Sequence, residues 1–169
     1  MKPASLRGQL MLVTAAYGFV LAAASALVVM RYLQYVLHPD DVAAAGGMYA
    51  FGDVMLALFI ACMVLVPTFW LAMVLRKSED LYTTYAKVVF GVSVTSPLSL
   101  GLMSIPAVGQ SNMLLGYVCM YRVMCAPVVL VGMAMSRALA KFPRAKRMTS
   151  CAVAIELLTL AGMVALMVL

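Results

Sequence analysis

Most of the residues from which hydrolytic, redox or metal chemistry is built are scarce in this chain. It has one histidine, His38, six acidic residues in 169, and no Cys-x-x-Cys pair among its four cysteines. A lone histidine cannot supply bis-histidine haem ligation or a His-Glu-x-x-His zinc site, and His38 falls at the end of an apolar helix rather than beside a serine nucleophile. Cys62, Cys119, Cys125 and Cys151 lie inside or at the edge of apolar runs. That placement excludes a disulfide framework and leaves them as small packing residues. Charge is scarce as well, at 11% of residues, and no polar stretch is long enough to form a soluble domain. The composition therefore calls for no cofactor, no metal and no enzymatic activity.

What the chain has in quantity is apolar surface. It is 66% hydrophobic with a mean hydropathy of +1.06, far from the roughly half-apolar, quarter-charged composition of soluble domains. The expected class is all-α: a polytopic integral membrane helix bundle forming a single membrane domain over residues 1–169. A spanning helix needs about 20 mainly apolar residues to cross a core about 30 Å thick. Five stretches meet that requirement, at about 10–30, 54–75, 88–104, 113–135 and 148–169. The third is the weakest, short and loaded with Ser93, Thr95, Ser96, Pro97, Ser99 and Gly101, which suits a broken or re-entrant helix as well as a full span. No internal repeat of the kind that builds many secondary transporters is visible.

Orientation follows from the cations. Lys2 and Arg7, then Arg76, Lys77 and Lys87, then Arg137, Lys141, Arg144, Lys146 and Arg147 all fall on one side of a five-span ladder. The positive-inside bias places that side in the cytoplasm, with the N-terminus inside and the C-terminus outside. Dropping the third crossing would put the 137–147 cluster outside, so five crossings are preferred. Tyr32, Tyr35, Tyr49 and Tyr117 then mark the outer boundary, and Trp70, Tyr82, Tyr85 and Phe142 the inner one. The strong bias favours a bacterial inner membrane. Because the net charge of +6 sits in short loops beside apolar runs, it points to anionic headgroups rather than nucleic acid. The basic residues Arg137, Lys141, Arg144, Lys146 and Arg147 are the candidate contact for anionic lipid.

Four ionisable residues remain within or beside the spans: Arg31, Asp53, Arg122 and Glu156. Arg31 and Asp53 fall near the outer headgroups, where each can be solvated by snorkelling or by the other. Arg122 lies roughly 13 Å into the fourth span from outside and Glu156 roughly 12 Å into the fifth from inside, at 1.5 Å per residue. Within a core of about 30 Å those depths nearly coincide. The two spans are joined by a short loop, and a mid-membrane charge costs at least about 2.5 kcal/mol, so the two side chains are expected to pair. Such a pair serves either as a structural pin between two greasy helices or as part of a conduit in which Glu156 takes a proton or cation. Pro127 frees the carbonyl of Val123 beside Arg122. Ser93, Ser96 and Ser104 form the candidate polar face of the third span.

Gly52-Asp53 resembles the second half of the Gly-x-Gly-Asp motif of intramembrane aspartyl proteases. Position 50 is Ala50, however, and there is no second intramembrane aspartate to share a proton. Sixteen methionines, with Met120 and Met124 beside Cys119 and Cys125, suit soft-metal chemistry, but Met also packs apolar helices freely. The leading expectation is a small accessory or assembly subunit that packs against partner helices or against copies of itself in the bilayer. A small oligomeric transporter or conduit using Arg122 and Glu156 is the alternative. An intramembrane enzyme or soft-metal handler comes third.

Overall fold

The computed structural model describes residues 6–105 and 112–168, so Lys2 and the last residue of the fifth expected span lie outside the described residues. These form an all-α helical bundle with no strand among them. The helices are α1 (Leu6–Leu37), α2 (Pro39–Ala44), α3 (Gly46–Leu75), α4 (Glu79–Met103), α5 (Met113–Met124), α6 (Ala126–Leu139) and α7 (Pro143–Val168). Four of them, α1, α3, α4 and α7, are long and apolar enough to cross a membrane, and α5 with α6 makes a fifth if that bent pair is one span. The chain is accordingly a multi-pass membrane protein.

Helix boundaries run past the apolar stretches because an unpaired backbone amide has no partner in hydrocarbon and the helix supplies one internally. α1 has 32 residues, about 48 Å at 1.5 Å per residue, and so extends beyond a core of about 30 Å. It ends where Pro39 restricts His38. Pro39 then opens α2, with Asp40 and Asp41 in the first turn, a position where a missing amide is harmless and acidic side chains suit the helix dipole. The Gly46-Gly47 pair, eight residues ahead of the second apolar run, is already helical at the start of α3. α4 begins at Glu79, nine residues before the apolar run, behind Ser78.

The described chain falls into two compact units, Met1–Pro67 and Thr68–Leu169. In the first, α1 and the part of α3 up to Pro67 make little close backbone contact. In the second, α4 makes its most extensive contact with α7, and α5 and α6 pack against α4 and α7 respectively. Contacts along α4 and α7 ascend together: Ala86 shares a core cluster with Ala145, Ser96 bonds Glu156, and Leu100 meets Gly162. The two helices are therefore parallel.

Their facing positions show why they fit. Tyr82, Ala86, Val89, Ser93, Ser96 and Leu100 on α4, and Ala145, Thr149, Ala152, Glu156, Thr159 and Met163 on α7, are buried or half-buried at alternating steps of four and three residues. That is the repeat of a left-handed packing seam. Most of these residues are small, which lets backbones approach closely where lipid offers no hydrophobic drive between helices. The hydroxyls of Ser93 and Thr149 bond carbonyls of their own helices, Phe90 O at 2.7 Å and Ala145 O at 3.0 Å. Buried polar atoms in the seam thus stay satisfied.

The third expected span, the weakest on sequence, is a continuous helix of 25 residues. The break falls in the fourth. α5 and α6 meet at Cys125 with a bend of 53°, two residues before Pro127. Without a Pro127 amide the helix cannot continue its regular ladder to Val123, and Val128 N–H instead closes a tighter turn onto Cys125 O at 3.1 Å.

Candidate functional site

The bend fixes the last turn of α5, and with it Arg122. Its guanidinium reaches α7 and grips Glu156 with two parallel bonds, Nη1 to Oε1 at 2.9 Å and Nη2 to Oε2 at 3.0 Å. This fork matches a carboxylate in shape as well as charge. The remaining donors go to α4: Nε to Thr95 Oγ1 at 2.9 Å and Nη2 to Val92 O at 3.2 Å. From the other side of Glu156, Ser96 donates to Oε1 at 3.2 Å. The Thr95 hydroxyl in turn donates a hydrogen bond to Val92 O at 2.6 Å. Three helices thus converge on one charge pair.

Burial within the pair is uneven. Glu156 is fully buried midway along α7, whereas the Arg122 side chain keeps 15% of its surface open. Thr95 is exposed, so the site is closed towards α7 and open along one edge of α4. No buried side-chain nitrogen or oxygen among the described residues lacks a hydrogen-bond partner. In a low-dielectric interior an unpaired polar group is costly, and here the network removes that cost at each atom.

The first unit holds a second pair of different construction. Arg31 Nε meets Asp53 Oδ1 at 2.6 Å, Nη1 meets Gln34 Oε1 at 3.0 Å, and Nη2 meets Tyr49 O at 2.6 Å. Tyr35 donates its hydroxyl to the other oxygen of Asp53. The rings of Tyr35 and Tyr49 stand edge to face, and the guanidinium carbon lies 5.2 Å and 4.7 Å from their centroids, within cation–π range. Gly52 makes room for this box, since a Cβ there would lie 2.9 Å from Arg31 Nη2. Both charged side chains retain about a fifth of their surface, 21% and 24%.

The structure separates the other expected site residues. Ser93 and Ser96 are buried in the α4–α7 seam, but Ser104 is exposed and bonds its own Leu100 carbonyl at 2.9 Å. The polar face is continued instead by Ser99. Arg137, Lys141, Arg144, Lys146 and Arg147 are all exposed where α6 turns into α7. Met120 and Met124 are half-buried on α5, and no cluster of three or more His, Cys, Asp or Glu side chains able to hold a metal occurs among the described residues.

Two features escaped sequence reasoning. Thr95 sits on a different flank of α4 from Ser96, yet both serve the same ion pair. Near the other end of α4, Tyr82 donates to the carbonyl of Ser136 and the Tyr85 hydroxyl lies 2.7 Å from Ser136 Oγ. Tyr82 and Tyr85 were read as interfacial aromatics, but Tyr82 is fully buried against Ala72, Ala86 and Ala145. The available signal was the four-residue spacing from Tyr82 to Ala86, one helical turn apart. No protein-family model, curated protein or solved structure matches this chain.

Proposed function

We propose that this chain is a small integral-membrane accessory or assembly subunit, which works by presenting helices to partner helices in a membrane complex. The observation that carries this reading is the closed Arg122–Glu156 network. All three guanidinium nitrogens and both carboxylate oxygens are engaged, from three helices. A group meant to load and release an ion needs a vacant or exchangeable ligand position, whereas a fully bonded bidentate pair pins one register between helices. The second unit then serves as a rigid scaffold. In α1, and in α3, which runs from the first unit into the second, only 11% and 6% of the apolar stretch is buried, which leaves long apolar surfaces for lipid, partner subunits or further copies of the chain. The same reading places the basic loops in the cytoplasm, the C-terminus outside, and the chain in a bacterial inner membrane.

A conduit is favoured by one observation, the open edge formed by Thr95 and part of Arg122. The double substitution R122L/E156L separates the two readings. A scaffold keeps its assembly when both charges are removed together, because no unpaired charge is left. A conduit loses its flux. Purification in mild detergent followed by native mass spectrometry is the direct test of the subunit reading, with co-purifying membrane partners or a defined self-assembly as the expected result. A partner-free monomer overturns it.

A further inference from the structure

At the end of α4 away from the α6–α7 basic cluster, its last turn and the first two turns of α5 line a cavity of about 280 Å³. Four of the seven residues around it carry sulfur: Met103 on α4, and Met113, Cys119 and Met120 on α5. Sixteen methionines and four cysteines in 169 residues would put about one sulfur in such a set by chance, so the cavity is enriched in soft donors. None of its lining residues is His, Asp or Glu.

Exposure of the four is graded. Met113 and Met103 stand at the mouth, 71% and 45% exposed, Met120 is half-buried, and Cys119, a free thiol, is buried at the floor with 4% exposure. Helix geometry brings this about, since Met113 and Met120 are two turns apart on one face of α5 and Gly116 between them puts no side chain in the way. The start of α5 is fixed by Asn112, whose side chain accepts from Leu115 N–H at 3.2 Å. The soft pair visible on sequence, Met120 with Met124, is parted: Met124 ends α5 and does not line the cavity.

We propose that this cavity binds a single Cu(I) ion, held by the Cys119 thiolate and by the thioethers of Met120, Met103 and Met113. Thiolate and thioether sulfur select soft monovalent copper, whereas harder divalent cations draw on imidazole or carboxylate, which the cavity lacks. On binding, the Cys119 S–H bond breaks, its electron pair forms the S–Cu bond, and the proton leaves to water through the mouth. Copper remains Cu(I) throughout. The thiolate cancels the charge of the ion, so the bound unit is neutral among apolar walls. Methionine is unbranched with three rotatable bonds, which lets the thioethers close on an ion smaller than the cavity. The exposed Met113 and Met103 give the ion a path from the mouth to the buried thiol. This inference does not depend on the subunit reading, since a scaffold and a conduit can each carry such a site.

The test uses the full chain in detergent without oxygen, titrated with Cu(I) against a chromophoric Cu(I) chelator, with native mass spectrometry to count bound ions. One Cu(I) per chain is expected, Ag(I) should compete for it and Zn(II) should not. Cys62 and Cys151 are exposed thiols, so C62S/C151S serves as the background and should keep the affinity within about twofold. In that background Met120→Leu, which conserves volume, should weaken Cu(I) binding at least roughly tenfold, because loss of even an outer-shell partner costs that much. Met113→Leu changes an exposed side chain with no packing role and should also weaken binding, by a smaller factor. Met124→Leu, outside the cavity, should stay within about twofold. X-ray absorption at the copper edge should show sulfur neighbours only. Failure to hold Cu(I) against the chelator overturns the proposal, as does Zn(II) binding of equal strength. Equal losses from Met120→Leu and Met124→Leu overturn it too, since they would mean scattered thioether contacts rather than a site.

Discussion

The chain contains two arginine–carboxylate pairs, and they hold their helices in different ways. Arg122–Glu156 sits inside a packed seam, where helices already touch along small residues and the pair selects which touching arrangement is kept. Arg31–Asp53 joins two helices that make little close backbone contact, so side chains span a gap that packing does not fill. The first pair is dry at its carboxylate and makes its other bonds with two neighbouring hydroxyls and the Val92 carbonyl. The second is about a fifth open and surrounds its cation with tyrosine rings. Identical charge chemistry thus acts as a register pin in one unit and as a latch in the other, and the local environment decides which.

The largest expected effect comes from breaking the buried pair on one side only. Arg122→Leu leaves Glu156 buried without a counter-charge and should cost about 3–5 kcal/mol, read as a fall in thermal stability in detergent. R122L/E156L should recover most of that loss. If the single substitution costs no more than removal of Arg31, the distinction between pin and latch fails.

Asp53→Ala comes next, at about 1–2 kcal/mol, since it removes a part-exposed salt bridge and the acceptor of Tyr35 together. The comparison sharpens with salt: Arg31–Asp53 should weaken as ionic strength rises, and Arg122–Glu156 should barely respond. A double-mutant cycle for each pair at low and high salt measures this.

Ser96→Ala removes one neutral donor from Glu156 while leaving the arginine fork, and should cost about 1 kcal/mol. The smallest effect is expected from Gly52→Ala. Its Cβ crowds the far end of a flexible side chain, which can shift at a cost below about 1 kcal/mol. The coupling between Arg31 and Asp53 should nonetheless fall, and an unchanged coupling energy would show that the tyrosine box does not depend on that close approach.

Depth and hydrophobic length are one-dimensional properties, which explains how much of this arrangement could be read early. The spacing of apolar runs put Arg122 and Glu156 at nearly one level, and a short connection made their spans neighbours. What spacing could not supply was rotation about each helix axis. Ser93, Ser96 and Ser104 looked like one face, yet Ser104 turns outward and Ser99 inward. Thr95, one of the polar residues that weaken the span on sequence, proves to be an arginine ligand. α4 looked like the weakest span because hydroxyls lower its hydropathy. Those same hydroxyls are small and self-satisfying, which lets α4 pack as closely as α7, the two being the most buried of the single-helix spans. The α4 span is one continuous helix, as the preferred count of five crossings requires, and the break falls at Cys125, because Pro127 removes an amide from a helix whose neighbours hold its two halves at an angle.

Composition by itself determined that this chain lives in a bilayer as helices, since hydrocarbon leaves the backbone no other way to satisfy its amides. Sequence spacing also determined which charges would need partners. Only the tertiary structure decided who those partners are. Each depends on the azimuth at which one helix meets another, and that angle is set by which small residues let two backbones come close.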